Sequence, residues 1–400
     1  MPIAIGVGIS SQKDCKSAVA EAIYRAKTNL KQEEISLAII FSTSDFAYPF
    51  LLKAISNLIG ENIPIIGTTT NALFTEEGIL EHGLIITLIH TKDVYFNIAR
   101  VANALTDLEA SGENLGKQLL FGMKETHRSF CLLFSDGLIM DNYPLLKGLQ
   151  QQLGISFPIV GAASASSNIR LNKTHQYFNQ EVLTSSVVGL LWSGKVNFGL
   201  GIKHGWEPIG KPRRVNISDK SIIKEIENKP AVFLYQDYFA KDIPELKREL
   251  KRISCLYPIG INISGEEEYL LRNILFIQDD GSLLCRGNVP VDSRVRLMIG
   301  TKESCLSATE EAAREAKESL MIQSFPKQEA IRIIFVFNSV SRLYLLGRQI
   351  TEELKIIKSH FPSVPIVGLC TYSELAPLKT TDFVGKTYCH NQTIAVLAMN

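Results

Sequence analysis

Three stretches of the chain run through the same order of apolar and polar positions. Residues 40–71 read IFSTSDFAYPFLLKAISNLIGENIPIIGTTTN, residues 133–166 read LFSDGLIMDNYPLLKGLQQQLGISFPIVGAASAS, and residues 335–377 read FVFNSVSRLYLLGRQITEELKIIKSHFPSVPIVGLCTYSELAP. In each, an unbroken apolar run gives way to a small polar loop. Apolar residues spaced three and four apart follow, then Pro-Ile-Ile/Val-Gly and a second small polar loop. The unbroken, β-branched runs predict strands covered on both faces. Spacing such as Leu51, Leu52, Ile55 and Ile59 puts an apolar stripe on one side of a helix. A unit repeated in this order places its polar loops at one structural position, outside the strand ends where open α/β sheets bind ligands.

The pattern extends to both sides. The first copy opens with a strand at Ile3–Ser10 and a helix near Lys13–Asn29, and closes with a strand at Gly83–His90. The second opens with a strand at Val94–Val101 and a helix near Leu105–Met123, and closes at Ser186–Trp192. For the third, the corresponding segments are a strand at Val295–Ile299, a helix near Ser304–Leu320 and a closing strand at Thr393–Met399. A degenerate fourth unit lies between, with strands at Asn197–Ile202 and Asn273–Ile277 and the segment YPIGI at Tyr257–Ile261. The expected fold class is α/β: duplicated β-α-β-α-β-β units forming two lobes of sheets covered by helices, divided into residues 1–215 and 216–400. The charged run Lys241–Arg252 predicts a solvated helix near the lobe boundary, with a partner-docking surface as its functional alternative. Loops and hairpins are expected around Ser167–Gln180 and Gly265–Glu268.

Charge narrows the function classes. The chain holds 42 basic and 41 acidic residues, well mixed, for a net charge of +1, which offers no basic stripe for a phosphate backbone and argues against nucleic acid. No apolar run reaches membrane-spanning length, and the start MPIAIGVGIS lacks the basic opening of a signal peptide. Seven cysteines form no CxxC pair, which reads as free thiols in a reducing compartment. A cytoplasmic location without membrane insertion is the expectation.

Several scattered pieces resemble the FIST ("F-box and intracellular signal transduction") family: GVGIS at the start, PIIGTTTNALFTEEG, PIVGAASASSN, and VVGLLWSGKVNFGLGIKHGWEPIGKP. The segment VNISDKSIIKEIENKPAVFLY then leads into a part similar to FIST C. There the family's strand, Cys/Ser turn and Arg are matched by FNSVSR, ending at Arg342; its Gly-Glu-Ile-x-Pro by Ser373-Glu374-Leu375-Ala376-Pro377; and its closing His-Asn-x-Thr by His390-Asn391-Gln392-Thr393. Ser341 and Ser373 stand where the family typically has glycine. The resemblance implies a sensory module that binds a small ligand, with amino acids the usual suggestion. It implies a FIST domain over 1–215 and a FIST C domain over 216–400, signalling through a separate protein partner. No cofactor is implied.

Candidate site residues gather in the third copy. Arg342, just past a strand end, suits a ligand carboxylate; the alternative is a surface pair with Glu352 or Glu353. Glu374 can accept a ligand ammonium, which with Arg342 makes the two-ended clamp an α-amino acid needs, or it can hold Arg342 as a structural ion pair. Thr371, Ser373, Asn338 and Asn391 add hydrogen-bonding groups. His390 with Asn391 reads alternatively as a capped turn. Asp136 fills the equivalent loop of the second copy, where a helix N-cap is the competing role.

Enzyme patterns come close and fail. GWEPIGK at Gly205–Lys211 fits a P-loop until Pro212 takes the Ser/Thr position, and Ser11 breaks the dinucleotide fingerprint in GVGISS. There is no GxSxG, no HExxH and no zinc spacing. The one arrangement that leaves catalysis open is Cys370, Cys389 and His390, should their loops meet, acting on a small carboxylate or carbonyl substrate.

Overall fold

A computed structural model describes residues 3–32, 34–46, 49–123, 127–167, 173–263, 268–324, 330–379 and 384–400. The expected loops at 168–172 and 265–267 lie outside the described residues. The class is mixed α/β, as the sequence pattern indicates. In each repeat the two apolar runs form a parallel pair: Leu37–Thr43 with Ile65–Thr70, Arg128–Ser135 with Ile159–Ala163, and Ile333–Ser339 with Ile366–Thr371. The crossover helices are Pro49–Ile59, Tyr143–Leu153 and Ile350–His360, whose apolar stripes cover the sheets. The closing and opening strands continue each sheet in antiparallel fashion, for example Leu84–Thr91 and then Ile3–Ser10.

The other edge of each sheet is completed by a different repeat. The first sheet takes the hairpin Gln176–Phe178/Glu181–Leu183 from the second repeat. The second takes Ser373–Lys379/Val384–His390 from the third, and the third takes Leu73–Thr75/Gly78–Leu80 from the first. The exchange closes into a ring. Register gives it approximate three-fold equivalence, since Gly67, Gly161 and Gly368 stand opposite Ile40, Leu133 and Val336. The next residues along, Phe41, Phe134 and Phe337, are buried where the three sheets meet, with ring centroids 5.3 Å and 6.3 Å apart for successive pairs. The glycine is required by close approach: a Cβ on Gly67 or Gly161 would stand 1.8 or 2.0 Å from the facing carbonyl oxygen.

The third repeat departs from expectation. The strand Arg294–Gly300 does not open it; that strand pairs with Trp206–Asp219 and Ile259–Asn262. The opening strand is Phe198–Lys203, expected in the fourth unit, which lies against the closing strand Ile394–Met399. Residues 204–301 are therefore inserted between the opening strand and opening helix (Lys302–Gln323) of the third repeat. The described pairs of the insertion are all antiparallel, in one eight-stranded sheet, so it is not a fourth copy of the parallel unit. Its charged helix runs Ile243–Leu256 and starts with a capping box between Asp242 and Glu245. No helix among the described residues is long and apolar enough to cross a membrane.

Candidate functional site

The parallel pair of the third repeat ends at Asn338-Ser339 and Cys370-Thr371, which face each other in register. Here the chain leaves the third sheet, and after Tyr372 it enters the exchanged hairpin of the second, so Ser373 and Glu374 lie opposite Ala163 and Ala162. One tight corner thus gathers polar side chains from two sheets.

Arg342 is fully buried, and so is Glu353 on the following helix. The guanidinium donates through Nε and Nη2 to Glu353, through Nη1 to His204 O at 2.5 Å, and through Nη2 to Cys305 O at 2.8 Å and Thr309 Oγ1 at 2.9 Å. Glu353 also accepts from Thr309 and Asn338. The expected surface pair with Glu353 is thus a buried one, and the guanidinium offered to a ligand carboxylate is already committed to protein acceptors. A carboxylate this deep needs all of those donors.

Glu374 is equally buried and bound on both oxygens, by Thr371 Oγ1 at 2.9 Å and by the Thr393 N–H at 3.2 Å. Burial pushes its pKa up to about 8 against the pull of those donors and of Arg342. Asn391 donates to Ser373 Oγ and accepts the Asn273 N–H, fastening the insertion to this corner. His390 stays within the exchanged hairpin, bonding Ala376 O at 3.0 Å, and burial lowers its pKa to about 3.

Cys370 and Cys389 belong to separate apolar clusters, and burial raises both thiols. A nucleophilic thiolate needs the opposite shift. Asp136 does not cap a helix. It closes its own loop, accepting from Leu138 N at 2.8 Å, Thr174 Oγ1 at 3.0 Å and Ser185 N at 2.7 Å.

A cavity of about 320 Å³ opens where the insertion meets the third repeat's strand ends. Its walls include Ser339, Ser341 and Thr371 on the repeat side and Lys251, Asn273 and Arg286 on the insertion side. Of the expected site residues only Thr371 lines it; Asn338, Ser373, Glu374 and Asn391 form the polar layer behind. Arg286 was not foreseen. It is half-buried, its guanidinium carbon lies 5.4 Å from the Tyr372 ring centroid, and Nη1 donates to Gly137 O at 3.0 Å, next to Asp136. Among the described residues no carboxylate lines the cavity. The sequence signal for Arg286 was an arginine directly after the apolar run LLC.

Two family models match most of the chain. The FIST N domain matches residues 36–229, and the FIST C domain matches residues 231–377. An uncharacterized protein of Mycobacterium tuberculosis is 23% identical over 389 residues, covering 94% of this chain and 95% of its own. One from Methanocaldococcus jannaschii is 24% identical over 282 residues, covering 62% of this chain and 53% of its own. Among solved structures, a chorismatase aligns at a TM-score of 0.37 and a cyanuric acid hydrolase from A. caulinodans at 0.41. Each is 7% identical; the first covers 100% of this chain and 99% of its own, the second 99% and 98%. Scores this low transfer neither fold nor chemistry.

Proposed function

The chain belongs to the FIST family, whose domains are associated with sensing and signal transduction, and on that premise we propose that it senses a small carboxylate-bearing metabolite, an amino acid or a related acid. The observation that carries this reading is the cavity at the strand ends, which holds cationic side chains and, among the described residues, no acidic one. Arg286 is the carboxylate anchor in this reading, because four of its five N–H groups have no hydrogen-bond partner among the described residues. Ser339, Ser341 and Thr371 supply neutral hydroxyls to orient the rest of the ligand. The walls belong to the insertion and to the third repeat, so a ligand that binds both favours one arrangement of the two, and a separate signalling protein reads the change.

Thermal denaturation against a panel of amino acids and organic acids tests the proposal. A ligand at 100 times its Kd adds about 2.7 kcal/mol to stability. Arg286→Gln should abolish the response while leaving the unliganded melting curve close to that of the parent. No response to any carboxylate, or an undiminished response in Arg286→Gln, overturns it.

A further inference from the structure

Two cations line the cavity, and each rests on an aromatic ring instead of an acid. The Arg286 guanidinium lies over Tyr372, and Lys251 Nζ sits 4.6 Å from the centroid of Tyr344. A ring face attracts a cation without neutralising it, and no described carboxylate forms an ion pair with either side chain, Glu374 acting on Arg286 only from behind the wall. Lys251 is exposed, whereas Arg286 is half-buried.

A zwitterion matches this poorly. Its carboxylate would meet Arg286, but its ammonium would share a small cavity with a second cation and no acid, a repulsion that deepens as water leaves. The carboxyl of Glu374 lies behind Thr371, bonded to it and to Thr393. One buried acceptor in the wall, Asn273 Oδ1, has no hydrogen-bond partner among the described residues. It can take a ligand hydroxyl.

Resting on the carboxylate-sensor reading above, we infer that the ligand is a dicarboxylate without a free ammonium group, with one carboxylate on Arg286 and the other on Lys251. Arg286 supplies the planar fork that a carboxylate fits in two-pronged fashion, and Lys251 supplies a point charge that adapts to the ligand's length. Lys251 and Tyr344 also wall a neighbouring surface groove with Arg248 and Arg252, so binding at Lys251 alters a face open to the outside.

The experiment is calorimetric titration of the full chain with succinate, malate and glutarate, with butyrate as the one-carboxylate match, and with aspartate and glutamate. Dicarboxylates should bind at least about tenfold more tightly than butyrate and more tightly than the amino acids of the same length. Lys251→Gln, at an exposed position where folding is undisturbed, should bring them down to the butyrate level. Equal affinity for butyrate and succinate, a preference for aspartate over succinate, or unchanged succinate binding in Lys251→Gln overturns this inference. If one of those results comes with binding that Arg286→Gln still abolishes, the broader carboxylate reading stands alone; if no acid of any kind binds, both fall.

Discussion

The strand ends of the third repeat and those of the first two share a sheet register and differ in the chemistry that follows. Six residues on from the positions opposite the three glycines the chain carries Phe46, Ile139 and Arg342, all buried. On the exchanged hairpins, Leu73, Gln176 and Glu374 occupy one register position, opposite Leu369, Thr68 and Ala162. The difference follows the insertion. In the first two repeats the opening strand runs straight on to the following elements, whereas in the third the chain departs after Lys203 and returns at Lys302. Arg342 bonds His204 O on the departing side and Cys305 O on the returning side, so it staples the split shut. A charged residue at a ligand-like position can therefore be architecture, and the cations that line the cavity, Arg286 and Lys251, stand on the insertion.

The comparison can be broken most sharply at Arg342. Arg342→Ala leaves Glu353 buried and unpaired, and should cost about 3–5 kcal/mol in urea denaturation. Arg342→Met with Glu353→Leu, which copies the hydrocarbon of the other repeats, should recover much of that loss. A single variant costing under about 1 kcal/mol would remove the staple from the account.

Glu374→Gln tests the second position, since it gives the third hairpin the amide that the second carries at Gln176. The Glu374 carboxyl is raised to about 8 in the folded chain from an ordinary 4.5, so the folded state binds the proton more tightly than the unfolded. Stability should then fall as pH rises from 4.5 to 8, by at most about 1.4 kcal/mol per unit from this group. The glutamine variant should flatten that slope; an identical slope in the two proteins would place the titration elsewhere.

The smallest effect concerns the thiols. Cys370 and Cys389 should resist alkylation in the native chain and react once denaturant opens it, followed by mass mapping of the labelled sites. Fast native labelling of either would give the third repeat a reactive group and reopen the enzymatic alternative.

Much of this arrangement was legible in the sequence. Pro-Ile-x-Gly marked the second strand of every parallel pair, and helical spacing gave every crossover helix, because both signals are local. Glu353 was read as one of two surface partners for Arg342, although it stands three residues after Ile350 and four before Ile357, on the apolar stripe of its helix. The insertion was not legible. Arg294–Gly300 followed by a helix capped at Thr301 is locally the same as a strand and helix opening a repeat, and only sheet pairing with distant segments distinguishes them. Arg286 escaped for the same reason, since its value lies in Tyr372 and Gly137, both remote in the chain.

The ring of exchanged hairpins also constrains how the protein comes off the ribosome. Thr70 bonds Cys370 O across 300 residues of sequence, so the first hairpin meets the edge of the third sheet only after those residues have been made. Its edge therefore stays unpaired while the intervening residues are synthesised. A nascent chain stalled within that interval keeps that edge exposed.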